Sequence, residues 1–301
     1  MKVNAMQRDQ FKDGAAFRNR VIEVLSKVTG NGYLSGSVER EGERTSSVLL
    51  LLGEFPPRKG AACEPGIILN KRSQSVRQPG DLCCPGGSLE KLDNFLARLL
   101  AVPGSTLSKW PAWPQLKDAH PQDAAFLSLL YAAALREGWE EMRINPFGLT
   151  FLGVLPTERL VMYKRSIHPM AVWMSGQKRF RLNCEVERIV RFPLRALLDT
   201  SNYGCYRIDV PSRINGKLES ESADFPCFVY PVDGRKELLW GATFRIVTQF
   251  LEMIFGFKVP EISCLPLILG RLDKHYMTGS AQDSGCKKHR PAPAPGHHHP
   301  H

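Results

Sequence analysis

The chain has 301 residues, 43% hydrophobic and 23% charged, which is ordinary for a soluble globular protein and enough for one decorated domain or two small ones. No run of about eighteen apolar residues occurs, so no membrane-spanning helix is expected, and the N-terminus lacks the apolar core of a secretion signal. A formal net charge of +10 suits a polyanionic partner, but the absence of an aromatic-basic RNA motif or a helix-turn-helix pattern leaves nucleic acid weakly supported. Taken in chain order, residues 7–28 form an amphipathic helix, with Phe11, Ala15, Phe17, Val21, Ile22, Val24 and Leu25 near helical period and Gly30-Asn31-Gly32 ending it. A polar, turn-rich stretch leads to strands at Ser47–Leu52 and Gly66–Asn70, separated by a loop with Pro56-Pro57. Pro79–Gly87 reads as turn, short strand and Pro-Gly-Gly turn. Residues 94–121 are an inserted excursion carrying Trp110-Pro111-Ala112-Trp113-Pro114, where the prolines rule out a helix interior. Asp123–Met142 is a strong helix stopped by Asn145-Pro146. Strands follow at Leu149–Leu155, Met170–Met174, Cys184–Arg191 and Phe225–Tyr230, with a short helix at Leu194–Leu198 and a last helix at Gly241–Phe255. Strands on both sides of a central helix, with a second helix late, predict an α/β sandwich. The tail from Ser280 is basic and rich in proline and histidine, a composition expected to be disordered.

Eight cysteines are present, none in C-x-x-C spacing, and neighbouring Cys83 and Cys84 would point to opposite faces of a strand. Reduced, mostly buried thiols are therefore expected. That usage and the lack of a secretion signal favour the cytoplasm. Lys2, Arg8, Lys12, Arg18 and Arg20, against Asp9 and Asp13, give a mild likeness to a transit segment, so the mitochondrion is the alternative.

The chemically informative segment is Arg136-Glu137-Gly138-Trp139-Glu140-Glu141. On a helix, Glu137, Glu140 and Glu141 stand at i, i+3 and i+4 and crowd one face. Such crowding costs stability unless a cation offsets it, and magnesium or manganese prefers carboxylate oxygen. Arg136 can pair with one carboxylate and steady the group. Alone, three acids are more often a solvated surface patch, and Pro85-Gly86-Gly87 alone is more often a turn. Together they are far more specific, because glycine lets backbone approach a phosphate or metal.

This pairing resembles the Nudix box, G-x5-E-x7-R-E-U-x-E-E-x-G-U. Gly87 opens it, Asp93 holds its first acidic position, and Arg136, Glu137, Glu140 and Glu141 supply its second half. Arg72-Ser73, Arg77, Gly80 and Cys84-Pro85-Gly86-Gly87 look like the segment preceding the box in coenzyme A pyrophosphatases. Glu185-Val186-Glu187, Phe192-Pro193-Leu194, Leu197-Leu198 and Leu239-Trp240-Gly241-Ala242-Thr243 look like later parts of that subfamily. The resemblance implies a Nudix-like α/β/α sandwich with a mixed central sheet over residues 45–260, with a helical extension at 1–44, an insertion at 94–121 and a C-terminal extension at 261–301. It implies Mg2+ or Mn2+ held by Glu137, Glu140, Glu141 and the Gly86 carbonyl, and a metal-activated water attacking a pyrophosphate. Glu185 would be a further ligand or base, or else a solvent-facing strand residue. Arg72, Ser73 and Arg77 would recognise coenzyme A phosphates, or the two arginines would be surface solvation.

The chain departs from the pattern at four places. The excursion splits the box, and it would be a lid whose Trp110 and Trp113 stack on a base, a dimer contact or a loose loop. Gly138 replaces a bulky apolar residue, at a helical cost of about 1 kcal/mol. Arg143 replaces the terminating glycine, a role Asn145 could assume as a left-handed cap. Cys84 stands where a larger apolar residue is commoner. Three functions follow: a diphosphatase acting on coenzyme A or its thioesters, which yields 3′-phosphoadenosine phosphate and phosphopantetheine; a hydrolase of another nucleoside diphosphate derivative or of capped RNA; or a binding or regulatory module with little turnover.

Overall fold

The computed structural model describes residues 13–29, 43–56, 60–160, 164–214, 217–272 and 276. The start of the first expected helix and the Pro/His-rich tail lie outside them. Asp13 accepts the amides of Ala15 (2.8 Å) and Ala16 (3.2 Å), capping α1 (Gly14–Thr29). Phe17, Val21 and Leu25 recur every four residues and are fully buried. The Phe17 ring meets Trp173 and Phe255, each at 6.0 Å, so this helix belongs to the main core.

The large sheet is built around β1 (Arg44–Phe55), which runs parallel to β7 (Arg165–Met174) and antiparallel to β2 (Glu64–Arg72) and β4 (Gly86–Ser88). β2 also pairs with β3 (Leu82–Cys83) and β8 (Val186–Pro193); β7 pairs with β5 (Leu149–Val154) and β6 (Glu158–Leu160). The unbroken Leu49–Leu52 run has a simple cause: this sheet is covered on both faces. Leu49 and Leu51 share one core with Ile68, while Leu50 and Leu52 share the other with Ile67 and Leu69. The first face carries α2 (Asp93–Leu100), α3 (Trp113–Ala119) and α4 (Pro121–Met142). The second carries α1, α5 (Leu194–Leu197) and α6 (Gly241–Phe255). A mixed-sheet α/β/α sandwich results.

A second sheet has the order β11 (Arg235–Leu239), β10 (Lys217–Val232), β9 (Tyr203–Ile214), β12 (Leu267–Leu269). Only Phe225–Tyr230 of it is expected from hydropathy, because the β9–β10 hairpin is rich in Asp, Glu, Ser and Arg. Its missed signal in the sequence is Asn215-Gly216, a dipeptide that favours hairpins.

Three expectations are corrected. Trp110 (1% exposed) and Trp113 (5% exposed) are core residues, not a stacking lid. The Trp110 ring meets Phe151 edge-on at 5.2 Å, and the excursion supplies its own helices α2 and α3 rather than a loose loop. The cap of α4 is Arg143, in the left-handed conformation (φ 55°, ψ 45°), whereas Asn145 is extended and caps the following 3-10 turn by accepting the Phe147 amide at 3.1 Å. The thiols are not all free: Cys184 is disulfide-bonded. Cys84, Cys205 and Cys227 are free and buried as expected, and burial pushes the Cys83 thiol up to about 12. Among the described residues no helix is long and apolar enough to cross a membrane.

Candidate active site

The last two turns of α4 carry the acids, and a buried arginine fixes their setting. Arg136 donates through Nε to Asp93 Oδ1 (2.8 Å) and through Nη2 to Asp93 Oδ2 (3.2 Å) and the Ser88 carbonyl (3.0 Å). Asp93 is 0% exposed and also accepts the Glu90 amide at 2.6 Å. Burial works against the Arg136 charge, but Asp93, Glu137 and Glu90 outweigh it and its pKa rises. The remaining nitrogen, Nη1, faces Glu137 at 3.1 Å, Glu140 at 3.5 Å and Glu90 at 3.9 Å. Asp93 and Arg136, which the excursion separates in sequence, are therefore in direct contact.

The Pro-Gly-Gly turn lies against this helix. Gly86 has φ +146°, and a Cβ there would stand 2.3 Å from the Ser47 carbonyl, so only glycine lets β4 pair here. At Gly87 a Cβ would fall 2.4 Å from Glu137 Oε1. The missing side chain is thus what admits the Glu137 carboxylate beside the turn. Behind it, Gly138 packs against Ile144 and Leu49: a Cβ would meet Ile144 Cδ1 at 3.0 Å. Ile144 fills the space that the absent aliphatic side chain would take.

Glu141 is held by two donors, Asn70 Nδ2 at 2.6 Å and the Gly86 amide. Its carboxyl is pushed up to about 8. Burial is the main cause, followed by the charges of Glu137 and Glu185, while Arg72 and the Gly86 amide pull it down. Glu185 stands in the turn before β8, one residue outside the strand expected to hold it. That turn is pinned by Asn183 N donating to the Glu141 carbonyl (3.0 Å) and Ser73 N donating to the Glu185 carbonyl (2.9 Å). The Ser73 hydroxyl donates to the Cys184 carbonyl at 2.7 Å. Arg72 is half-buried and donates through Nε to the Arg77 carbonyl (2.7 Å), while the Arg77 side chain is exposed.

Two further arginines join this end of the sheet. Arg165 opens β7 directly across from Arg44 on β1. Its pKa is lowered, first by burial and then by the like charges of Arg44, Arg72 and Arg77. Arg165 thus feels three other guanidiniums, and one of them, Arg72, also acts on Glu141. Sequence reasoning missed Arg44, Arg165 and Asn70. The arginines meet only through the parallel β1/β7 register, which leaves no local pattern. Asn70 is two residues before Arg72 on an alternating strand, a placement that puts both on the α4 face.

The donor set is all hard carboxylate oxygen, and a divalent cation would relieve the repulsion that adds to burial in raising Glu141. Among the described residues no three acidic, cysteine or histidine side chains are already gathered as a metal-ligating group. A cation would have to compete with Arg136 Nη1 for Glu137 and Glu140.

No protein-family profile and no curated protein matches the chain. Solved structures do resemble it in part. A C. elegans Ap4A hydrolase binary complex is 15% identical and aligns over 52% of this chain and 83% of its own, with TM-score 0.30. A Nudix hydrolase from Alicyclobacillus acidocaldarius is 15% identical over 52% and 81%, with TM-score 0.32. The Nudix domain of Shewanella oneidensis NrtR, complexed with ADP ribose, is 12% identical over 56% and 86%, with TM-score 0.32. Likenesses this loose do not assign a function.

Proposed function

We propose that the chain is a metal-dependent Nudix-type diphosphatase that cleaves a pyrophosphate linkage, with coenzyme A or its thioesters as substrate. The observation that carries this reading is the meeting of opposites at one sheet end. Glu137, Glu140, Glu141 and Glu185 supply carboxylates, Arg72 acts on Glu141, and Arg44, Arg72 and Arg77 act on Arg165. Arginine repulsion of this kind is relieved by a ligand with several phosphates, and coenzyme A carries a further phosphate beyond its diphosphate. Bound Mg2+ or Mn2+ would neutralise pyrophosphate oxygens and acidify a water there. Glu137, Glu140 and Glu141 would hold it, with the Gly86 carbonyl as a backbone ligand. Arg136 orients Glu137 and Glu140, Asn70 fixes the rotamer of Glu141, and Glu185 stands by as a carboxylate able to accept a proton. Arg72 and Arg165 would orient the phosphates for in-line attack, where positioning and charge do most of the work.

The test is incubation of the purified protein with coenzyme A and magnesium or manganese, with products separated by mass. Release of phosphopantetheine that requires metal and disappears in Glu140→Gln and Glu141→Gln supports the reading. Silence on coenzyme A with turnover of another nucleoside diphosphate derivative or a capped RNA would move the substrate. A second reading, a binding module with little turnover, is favoured by one observation: Arg136 already engages Glu137 and Glu140. Ligand binding without turnover across the whole panel would establish it.

A further inference from the structure

Consecutive residues on β2 point to opposite faces of the sheet. Asn70 reaches Glu141 on the α4 face; Lys71 reaches Glu237 on β11 at 3.1 Å. Behind Lys71 is a cavity of about 280 Å³, between the β2–β3 connection and the second sheet. It is across the sheet from the carboxylates and belongs to no step proposed above.

Its walls have a distinct chemistry. Trp240, Tyr206 and Tyr276 form an aromatic side: Tyr206 meets Trp240 at 5.3 Å and 63°, and Tyr276 meets it at 6.3 Å and 33°. Asp81 forms the floor, accepting Trp240 Nε1–H at 3.0 Å and the Tyr276 hydroxyl. Those bonds set the two rings in place. The buried Glu237 is matched by Lys71 and Arg188, so it adds no unmatched negative charge. Lys236 and Arg271 also line the cavity, and both are exposed. Neither enters an ion pair among the described residues. Aromatic rings beside cations that form no ion pair among the described residues suit a flat aromatic group bearing a phosphate. The volume falls just below the usual span of small-molecule sites, roughly 300–1,000 Å³, so the ligand is small.

We infer that this cavity is a second binding site, separate from the carboxylate centre, for a nucleoside monophosphate. The base lies against Trp240 and the tyrosines, and the phosphate meets Lys236 and Arg271. The site is mechanically joined to the first, because the Arg72 amide donates to the Asp81 carbonyl (2.9 Å) and the Gly80 amide to the Arg72 carbonyl (2.9 Å). The inference does not depend on the proposed hydrolysis.

The test is titration of the full-length protein with adenosine 5′-monophosphate in excess EDTA, followed by calorimetry and tryptophan fluorescence. Saturable binding is expected with a fluorescence change. It should weaken at least tenfold in Lys236→Glu/Arg271→Glu, two exposed positions whose replacement leaves the core intact, and stay within twofold in Glu140→Gln. Absence of saturable binding overturns the inference. So does binding lost in Glu140→Gln but kept in the double variant, which would place the nucleotide in the carboxylate centre. Inorganic phosphate competing as well as the nucleotide would reduce the cavity to a simple anion site and also overturn it. Turnover of coenzyme A is read in a separate, metal-containing assay, so failure of one reading does not mask the other.

Discussion

Asp93→Asn tests the ion pair on which the acidic helix rests. The native carboxylate is 0% exposed and takes two guanidinium bonds plus the Glu90 amide. Asparagine keeps the shape but turns an amide donor either toward Arg136 Nε or toward both Arg136 Nη2 and Glu90 N, so a donor faces a donor. Removing one partner of a buried pair costs about 3–5 kcal/mol, because the other charge stays buried. Part of that is offset by Glu137, at 3.1 Å and largely buried. Glu140 and Glu90 are 44% and 49% exposed, so solvent screens them and they contribute little. The lower end, about 3 kcal/mol, is therefore expected. In urea, with m of about 3 kcal/mol/M, the midpoint measured by circular dichroism should fall by about 1 M at unchanged m. Asp93→Leu with Arg136→Met removes both charges and should recover more than half of the loss. A single-variant shift below about 0.3 M would refute the reasoning, since the pair would then hold nothing that water cannot replace.

Trp110→Ala should cost about 3–5 kcal/mol in the same denaturation assay, as expected for truncating a fully buried aromatic side chain; a loss under 1 kcal/mol with impaired substrate binding would restore the lid. Gly138→Ala should be neutral to about 1 kcal/mol stabilising, because the helical gain competes only with displacement of the Ile144 tip at 3.0 Å; a thermal melt showing a loss above 1 kcal/mol would mean the core behind the helix cannot yield. Arg165→Ala should raise KM for coenzyme A about tenfold or more with kcat changed far less, since a charged hydrogen bond contributes roughly 1.5–3 kcal/mol. An unchanged KM would remove Arg165 from substrate recognition.

What could be read from the sequence was local. Glu137, Glu140 and Glu141 declare themselves by helical spacing, and α6 is legible to the residue because Trp240-Gly241 and Gly256 bracket one apolar run. The Leu49–Leu52 run marks a strand, though not that both its faces are covered. What escaped depends on register. Arg44 meets Arg165 because two strands distant in sequence run parallel, and Asn70 meets Glu141 because a strand and a helix happen to face each other there. The cap departs from residue propensity. Asn tolerates the left-handed region better than Arg, so Asn145 was the better prediction by propensity. Arg143 takes that conformation instead, and its guanidinium lies 5.1 Å from the Trp139 ring, an interaction that offsets part of the strain.

The excursion explains how a split motif can still build one site. A connection several times longer than the ordinary spacer adds only about 1–2 kcal/mol of closure entropy. Ordering its residues costs far more, and an unstructured loop would have no means of offsetting that. Here the segment folds into α2 and α3 and buries Leu107, Trp110, Trp113 and Leu116 against α4 and β5. Its contribution is therefore that of a wedge. It holds Asp93, the first residue of α2, at the distance where the carboxylate grips Arg136. The contact between the two halves of the motif is kept in space by apolar packing although it is lost in sequence. This is why the damage from Trp110→Ala should propagate to Glu137 and Glu140 through Arg136, rather than remain in the insertion.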